Sequence, residues 1–197
     1  MSLGRFITGK AATQQSDSDG KSYTLHNQLF IDEDSQIYLV PRYFQTDGYT
    51  IPTWISILGG EKMQWDIRPA IGHDFECKFH QELVVKLSFI QLCELGFIKN
   101  ITVEDKGILI CKNIPPEYLE LRKATFKNVN AKFKRMMKAT QCIKQWRLNL
   151  MFWAVHLNAG WLTTKNNRFD INEIYKERQN EDNFNNTGSQ ADKQTAK

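Results

Sequence analysis

YTLHNQLFIDEDSQIYLV, residues 23–40, decides the fold class. YTLHNQLFI (23–31) and QIYLV (36–40) are short runs rich in β-formers, and DEDS (32–35) between them is a turn-forming tetrapeptide. The pattern predicts a β-hairpin, and so an antiparallel sheet near the N-terminus. PRYFQTDGYTIPTW (41–54) follows, with Pro41, Pro52 and Asp47-Gly48, and reads as a structured loop with room for one further short strand. Residues 66–80 turn helical after Asp66, with Pro69 in the first turn, where its missing N–H costs nothing.

QELVVKLSFIQLCELG (81–96) places apolar residues at Val85, Phe89 and Leu92 and ends at Gly96. That spacing predicts a helix with a glycine stop. FIKNITV and GILICK predict two short paired strands around EDKG. From IPPEYLELRK onward the spacing predicts helix for most of about 45 residues. One stripe runs through Leu119, Phe126, Val129, Phe133 and Met136 or Met137, a second through Ile143, Leu148, Met151, Phe152 and Val155. The expected architecture is α+β: a small, mainly N-terminal antiparallel sheet packed against about four helices.

The chain of 197 residues suits one domain with tails. Residues 1–22 and 164–197 are polar and read as a flexible or partner-bound arm and a tail, flanking a single domain over 23–163. A 41% hydrophobic content is enough for a core. The four cysteines, Cys77, Cys93, Cys111 and Cys142, form no C-x-x-C pair and read as free thiols of a reducing compartment. The N-terminus has no apolar signal-peptide core, and the longest apolar stretch, LNLMFWAVHLNAGWL (148–162), is too short and polar to span a bilayer. These features predict a protein that stays inside the cell that makes it.

The net charge of +4 does not by itself indicate a nucleic-acid binder, but its distribution is uneven. No Asp or Glu occurs between Leu121 and Phe169, while Arg122, Lys123, Lys127, Lys132, Lys134, Arg135 and Lys138 crowd the start of that stretch. A solvated face with acids supplied from elsewhere in the fold is the plainest account. An acidic partner protein comes next and nucleic acid third, because no nucleic-acid motif accompanies the charge.

RPAIGHDFECKFH (68–80) carries the chemistry. On a helix His73, Cys77 and His80 share a face at i, i+4 and i+7. His80 lies about 10 Å along the axis from His73, too far for one ion, so His73 and Cys77 are at best half a metal site. No cofactor is predicted. A divalent metal held by His73, Cys77 and Asp47 is the weaker alternative. Asp47 has a second role open to it, orienting the His73 imidazole, which predicts hydrogen-bond contact between the two. Asp47, His73 and Asp74 then form either a structural clasp between loop and helix or a polar catalytic centre.

FQTDGYTIP (44–52) followed by RPAIGHDFEC resembles a family of uncharacterised function found widely in tailed bacteriophages and prophages. Phe44, Thr46, Asp47, Gly48 and Pro52 match its loop motif, with Thr50 at the family's serine. Ala70, His73 and Asp74 match its His-Asp helix, Phe89 and Gly96 fit its next helix, and MFWAVHLNAGW (151–161) resembles its last. The likeness covers roughly residues 36–161. Cys77 stands where the family has Tyr, and Lys86 falls about where it has a second-helix Asp. The resemblance implies a phage origin and, given those departures, a structural role: a non-enzymatic virion component of neck, tail or baseplate, or an assembly accessory. Its partners would be other virion or assembly proteins in an oligomeric setting, and it would pass from the host cytoplasm into the particle. The competing expectation is a small hydrolase, with or without a metal, centred on Asp47, His73 and Asp74.

Overall fold

The structure is a computed structural model that describes residues 4–8, 13–15, 22–24, 26–46, 66–103 and 106–140, together with Trp146, Asn149, Phe152, Trp153, Phe169 and Asp170. Met1–Asn167 form one compact unit and Arg168–Lys197 a second.

The fold is α+β. Its centre is a five-stranded antiparallel sheet in the order β1–β4–β5–β7–β10: β1 (Arg5–Phe6), β4 (Gln28–Ile31), β5 (Ile37–Val40), β7 (Gln81–Val85) and β10 (Leu119–Lys123). The hairpin predicted around DEDS is β4–β5, in register from Gln28↔Val40 to Ile31↔Ile37. Its turn closes on itself: Asp32 N–H donates to the Gln36 carbonyl, Ser35 N–H donates to the Asp32 carbonyl, and the Asp34 carboxylate accepts from Gln36 N–H. Ser35 takes the left-handed conformation that the turn needs, at φ 65°.

Two smaller sheets flank the first: β2 (Thr13–Gln15), β3 (Ser22–Thr24) and β6 (Gln45–Thr46), and the predicted hairpin β8 (Ile98–Val103)–β9 (Lys106–Cys111). Buried Asn27 ties the segments together. Its amide donates to the Lys112 carbonyl at 2.7 Å and accepts from Arg42 N–H at 2.8 Å. Part of the expected N-terminal arm is sheet, since β1 pairs with β4 and β2 with β3.

Three α-helices are described over their whole length, α1 (Arg68–Phe79), α2 (Phe89–Glu94) and α3 (Phe126–Ala139). Of the second helical stripe expected over 143–155, Trp146, Asn149, Phe152 and Trp153 are helical and the rest lies outside the described residues. Helix was expected throughout 81–96, but residues 81–85 are instead strand β7. Its Leu83, Val84 and Val85 are all buried between β5 and β10, as suits a central strand. The helix starts only at Ser88, whose hydroxyl accepts from Gln91 N–H while the Gln91 side chain accepts from Ser88 N–H, a reciprocal cap. It ends at Gly96 as expected. Gly96 sits at φ +70°, with Phe97 N–H bonded to the Leu92 carbonyl and Gly96 N–H to Cys93. Residues 116–123, also read as helix, form a single 3-10 turn and then strand β10, paired with β7 over its full length.

Helices α1 and α3 pack against each other, and α1 also meets β5, β6 and β7. Gly72 permits the close helix approach: a Cβ there would stand 2.9 Å from Met136 Sδ. Phe75 sits between Phe44 and Phe79, with ring centroids 5.4 and 5.1 Å away, and roots the loop before β6 onto α1.

Candidate functional site

Helix α1 begins under firm control. The Asp66 carboxylate accepts from Arg68 N–H at 3.0 Å and pairs with its guanidinium, while Arg68 Nη1 donates to the Thr8 carbonyl at 2.7 Å. The next two turns deliver His73, Asp74, Glu76 and Cys77. On α3, Val129, Asn130, Lys132, Phe133, Met136 and Met137 form the buried stripe. Asn130 and Lys132 are polar members of an otherwise apolar face, and each meets a polar residue of α1.

The first meeting is at His73, whose side chain is 13% exposed. Its Nε2 lies 3.1 Å from Asn130 Oδ1, and its ring lies on Phe133 at 4.6 Å between centroids. Cys77 Sγ is 3.7 Å from Nδ1 and 3.5 Å from Nε2, and Asp74 Oδ1 is 4.0 Å from Nδ1. Asp74 Oδ2 accepts from the Thr46 hydroxyl at 2.5 Å, which fastens β6 to α1. Burial opposes a charge on His73. The hydrogen-bonding Asp74 and Cys77 outweigh it and push the imidazole up to about 10.

The second meeting is deeper. Lys132 Nζ donates to Glu76 Oε1 and Glu82 Oε2, both at 2.6 Å, and lies 3.4 Å from the Tyr38 ring centroid. Lys132 and Glu76 side chains are 3% and 5% exposed. Burial drives the Glu76 carboxyl up to about 7 despite Lys132, and Glu76 Oε2 has no hydrogen-bond partner in the structure. The Tyr38 hydroxyl is raised well above its ordinary value, first by burial and then by Glu82. One turn further along α3, Arg135 grips Asp32 of the β4–β5 turn through two bonds of 2.6 Å.

Among the sequence-predicted site residues, His73, Asp74 and Cys77 come together. Asp47 lies outside the described residues, and so does its expected contact with His73. His80 closes the C-terminus of α1 in the left-handed region, at φ 52°. Among the described residues no group of three or more His, Cys, Asp or Glu is arranged to hold a metal ion.

The seven basic residues do not share one helix face. Arg122 and Lys123 are on β10, and Arg122 pairs with Glu120 at 2.8 Å. Lys132 is buried, Arg135 is spent on Asp32, and half-buried Lys134 has its Nζ 5.0 Å from the Phe152 ring centroid. Lys123, Lys127 and Lys138 are exposed.

Sequence reasoning missed Asn130 as the partner of His73, and Glu76 altogether. Glu76 carried one signal, a carboxylate directly after core Phe75 on a helix whose preceding turns are buried. Asn130, 57 residues from His73, carried none. Chemically, the arrangement can hold a protonated imidazole beside a thiol and can lock α1, α3, β5, β6 and β7 together. No family model, no curated protein and no solved structure matches the chain.

Proposed function

We propose that the protein is a non-enzymatic component of a tailed-phage system, either a virion part of neck, tail or baseplate or an assembly accessory. The phage setting rests on the resemblance of residues 36–161 to the phage and prophage family. The non-enzymatic reading is supported by one observation: the two described members of the hydrolase centre, His73 and Asp74, are engaged inside the fold, beside a buried Lys132–glutamate network. His73 is bonded to Asn130, Asp74 to Thr46, and Glu76 and Glu82 to Lys132. Such a network fixes a helix pair and two sheets in register. Exposed Lys123, Lys127 and Lys138, with Trp146 and Trp153 at 52% and 58% exposure, offer basic and aromatic contact to acidic partner proteins.

Mass spectrometry of gradient-banded particles from the source virus tests this reading. A fixed copy number per particle is the expected result for a virion part. An accessory would instead co-purify with assembly intermediates from infected cells. Absence from both, together with hydrolase activity that His73→Ala removes while the fold survives, would replace this reading by the hydrolase.

A further inference from the structure

The three described cysteines differ in their surroundings. Cys111 is buried, and burial raises its thiol to about 12. Cys93 is exposed on the short helix α2. Cys77 is half-buried and stands 3.5 and 3.7 Å from the two nitrogens of His73. Both distances lie within hydrogen-bond reach of a sulfur, and Cys77 favours the charged ring first through that bond and then through charge.

Asn130 Oδ1 lies 3.1 Å from Nε2, and the Asp74 carboxylate stands 4.0 Å from Nδ1, an ion-pair distance. Asn130 fixes the ring from a separate helix, and Phe133 holds its face. The other charged groups around it are Glu76 on α1, Lys132 on α3 and Glu82 on β7, with Tyr38 on β5 beyond Lys132; Lys132 is taken up by the two glutamates. A nucleophile, a cation beside it and an amide that orients the cation form the arrangement that activates protein thiols.

From this geometry we infer that Cys77, beside the His73 ring that Asn130 holds in place, is a nucleophilic thiol-exchange site for small disulfides. In the exchange the Cys77 thiolate attacks one sulfur of R–S–S–R. The new Cys77–S–S–R bond forms and the old S–S bond breaks, and the leaving thiolate RS⁻ carries the electron pair away. Cys77 is oxidised to the mixed disulfide and half of the reagent is reduced. The His73 proton stays on the ring, where it favours the anionic sulfur before the attack. The inference uses the same His73–Asn130 contact as the non-enzymatic reading, and it stands or falls whether or not the chain is a virion part.

The test is labelling of the full-length protein with 4,4′-dithiodipyridine from pH 5 to 8, with adducts located by peptide mass spectrometry. Access scales a rate by a constant factor, whereas charge changes its pH dependence. The ratio of the Cys77 rate to the Cys93 rate therefore reports the pairing. It should rise about tenfold or more as pH falls from 8 to 6, because an ordinary thiol slows about tenfold per unit there. His73→Gln should abolish the rise and leave Cys93 unchanged. Asn130→Ala, the second variant in case His73→Gln fails to fold, should weaken it. A ratio constant with pH in the wild-type protein, or a rise that survives His73→Gln, overturns the assignment.

Discussion

Two faces of helix α3 carry lysines with opposite fates. Lys132 points inward, is 3% exposed, and holds two carboxylates from α1 and β7. Lys127 and Lys138 are on the outer face and are exposed. Both kinds come from one acid-free run of sequence, so local composition says nothing about which lysine is structural. Burial decides. In water an ion pair contributes little because both ions were already well solvated. In the interior the ions have given up that solvation, and removing one leaves the others stranded.

The sharpest test of this contrast is Lys132→Met. It leaves Glu76 and Glu82 facing each other without a cation, and should lower unfolding free energy by about 3–5 kcal/mol. Urea denaturation followed by far-UV circular dichroism measures it. Lys138→Met on the outer face should leave the midpoint unchanged. The double variant Lys132→Met/Glu76→Leu should recover part of the loss, because the stranded carboxylate is gone. A Lys132→Met protein as stable as the wild type would break the contrast between the faces.

Asp32 and Arg135 lie between these extremes. Asp32 is 4% exposed and Arg135 31%, and their two bonds pin α3 to the β4–β5 hairpin. Asp32→Asn should cost about 1.5–3 kcal/mol, as expected for charge-assisted bonds. The same denaturation measurement applies. A loss equal to that of Lys132→Met would mean that exposure does not rank these pairs.

How far the fold could be read from sequence follows the same line between local and distant causes. The β4–β5 hairpin was legible because DEDS carries its turn chemistry within four residues. Helix α1 was legible from Pro69, and the end of α2 from Gly96. Strand β7 was not, because Leu83, Val84 and Val85 are buried without alternation, and Val85, Phe89 and Leu92 fit a helical template equally well. The overlooked signal was Ser88 followed by Gln91, a cap that starts a new helix at 88. In β10, Leu119 and Leu121 alternate with Glu120 and Arg122, a strand pattern hidden by the helical run after it. At the site, His73 and Cys77 share a face by spacing alone. That Asn130 meets His73 and Lys132 meets Glu76 depends on helix packing across more than fifty residues, which no local pattern encodes.

The buried face also predicts a pH dependence. Glu76 titrates near 7 in the fold against an ordinary value of 4.5, so between those limits the native state binds more protons than the unfolded chain. Stability from this group is fully present below about 4.5 and is lost as pH rises through 7. His73 titrates near 10 against 6.5, so its contribution is complete below 6.5 and fades as pH rises through 10. Urea midpoints should therefore decline from pH 5 to 10. Glu76→Gln should flatten the lower half of that slope and His73→Gln the upper half. Midpoints that rise across this range would contradict the raised values of both groups.

The smallest expected effect belongs to Glu120 and Arg122. Their geometry is good: Arg122 Nη2 donates to Glu120 Oε2 at 2.8 Å and Nε donates to Oε1 at 3.0 Å. Their side chains are 44% and 43% exposed, adjacent on one strand face. Water solvates both ions whether or not they meet, and holding two long side chains together costs rotamer freedom. Arg122→Ala should leave the urea midpoint within error of the wild type, at low salt and at high salt alike. This pair shares with Arg135 and Asp32 the same two-bond fork of guanidinium on carboxylate, so a matching loss would show that the fork, and not burial, sets the strength of these pairs.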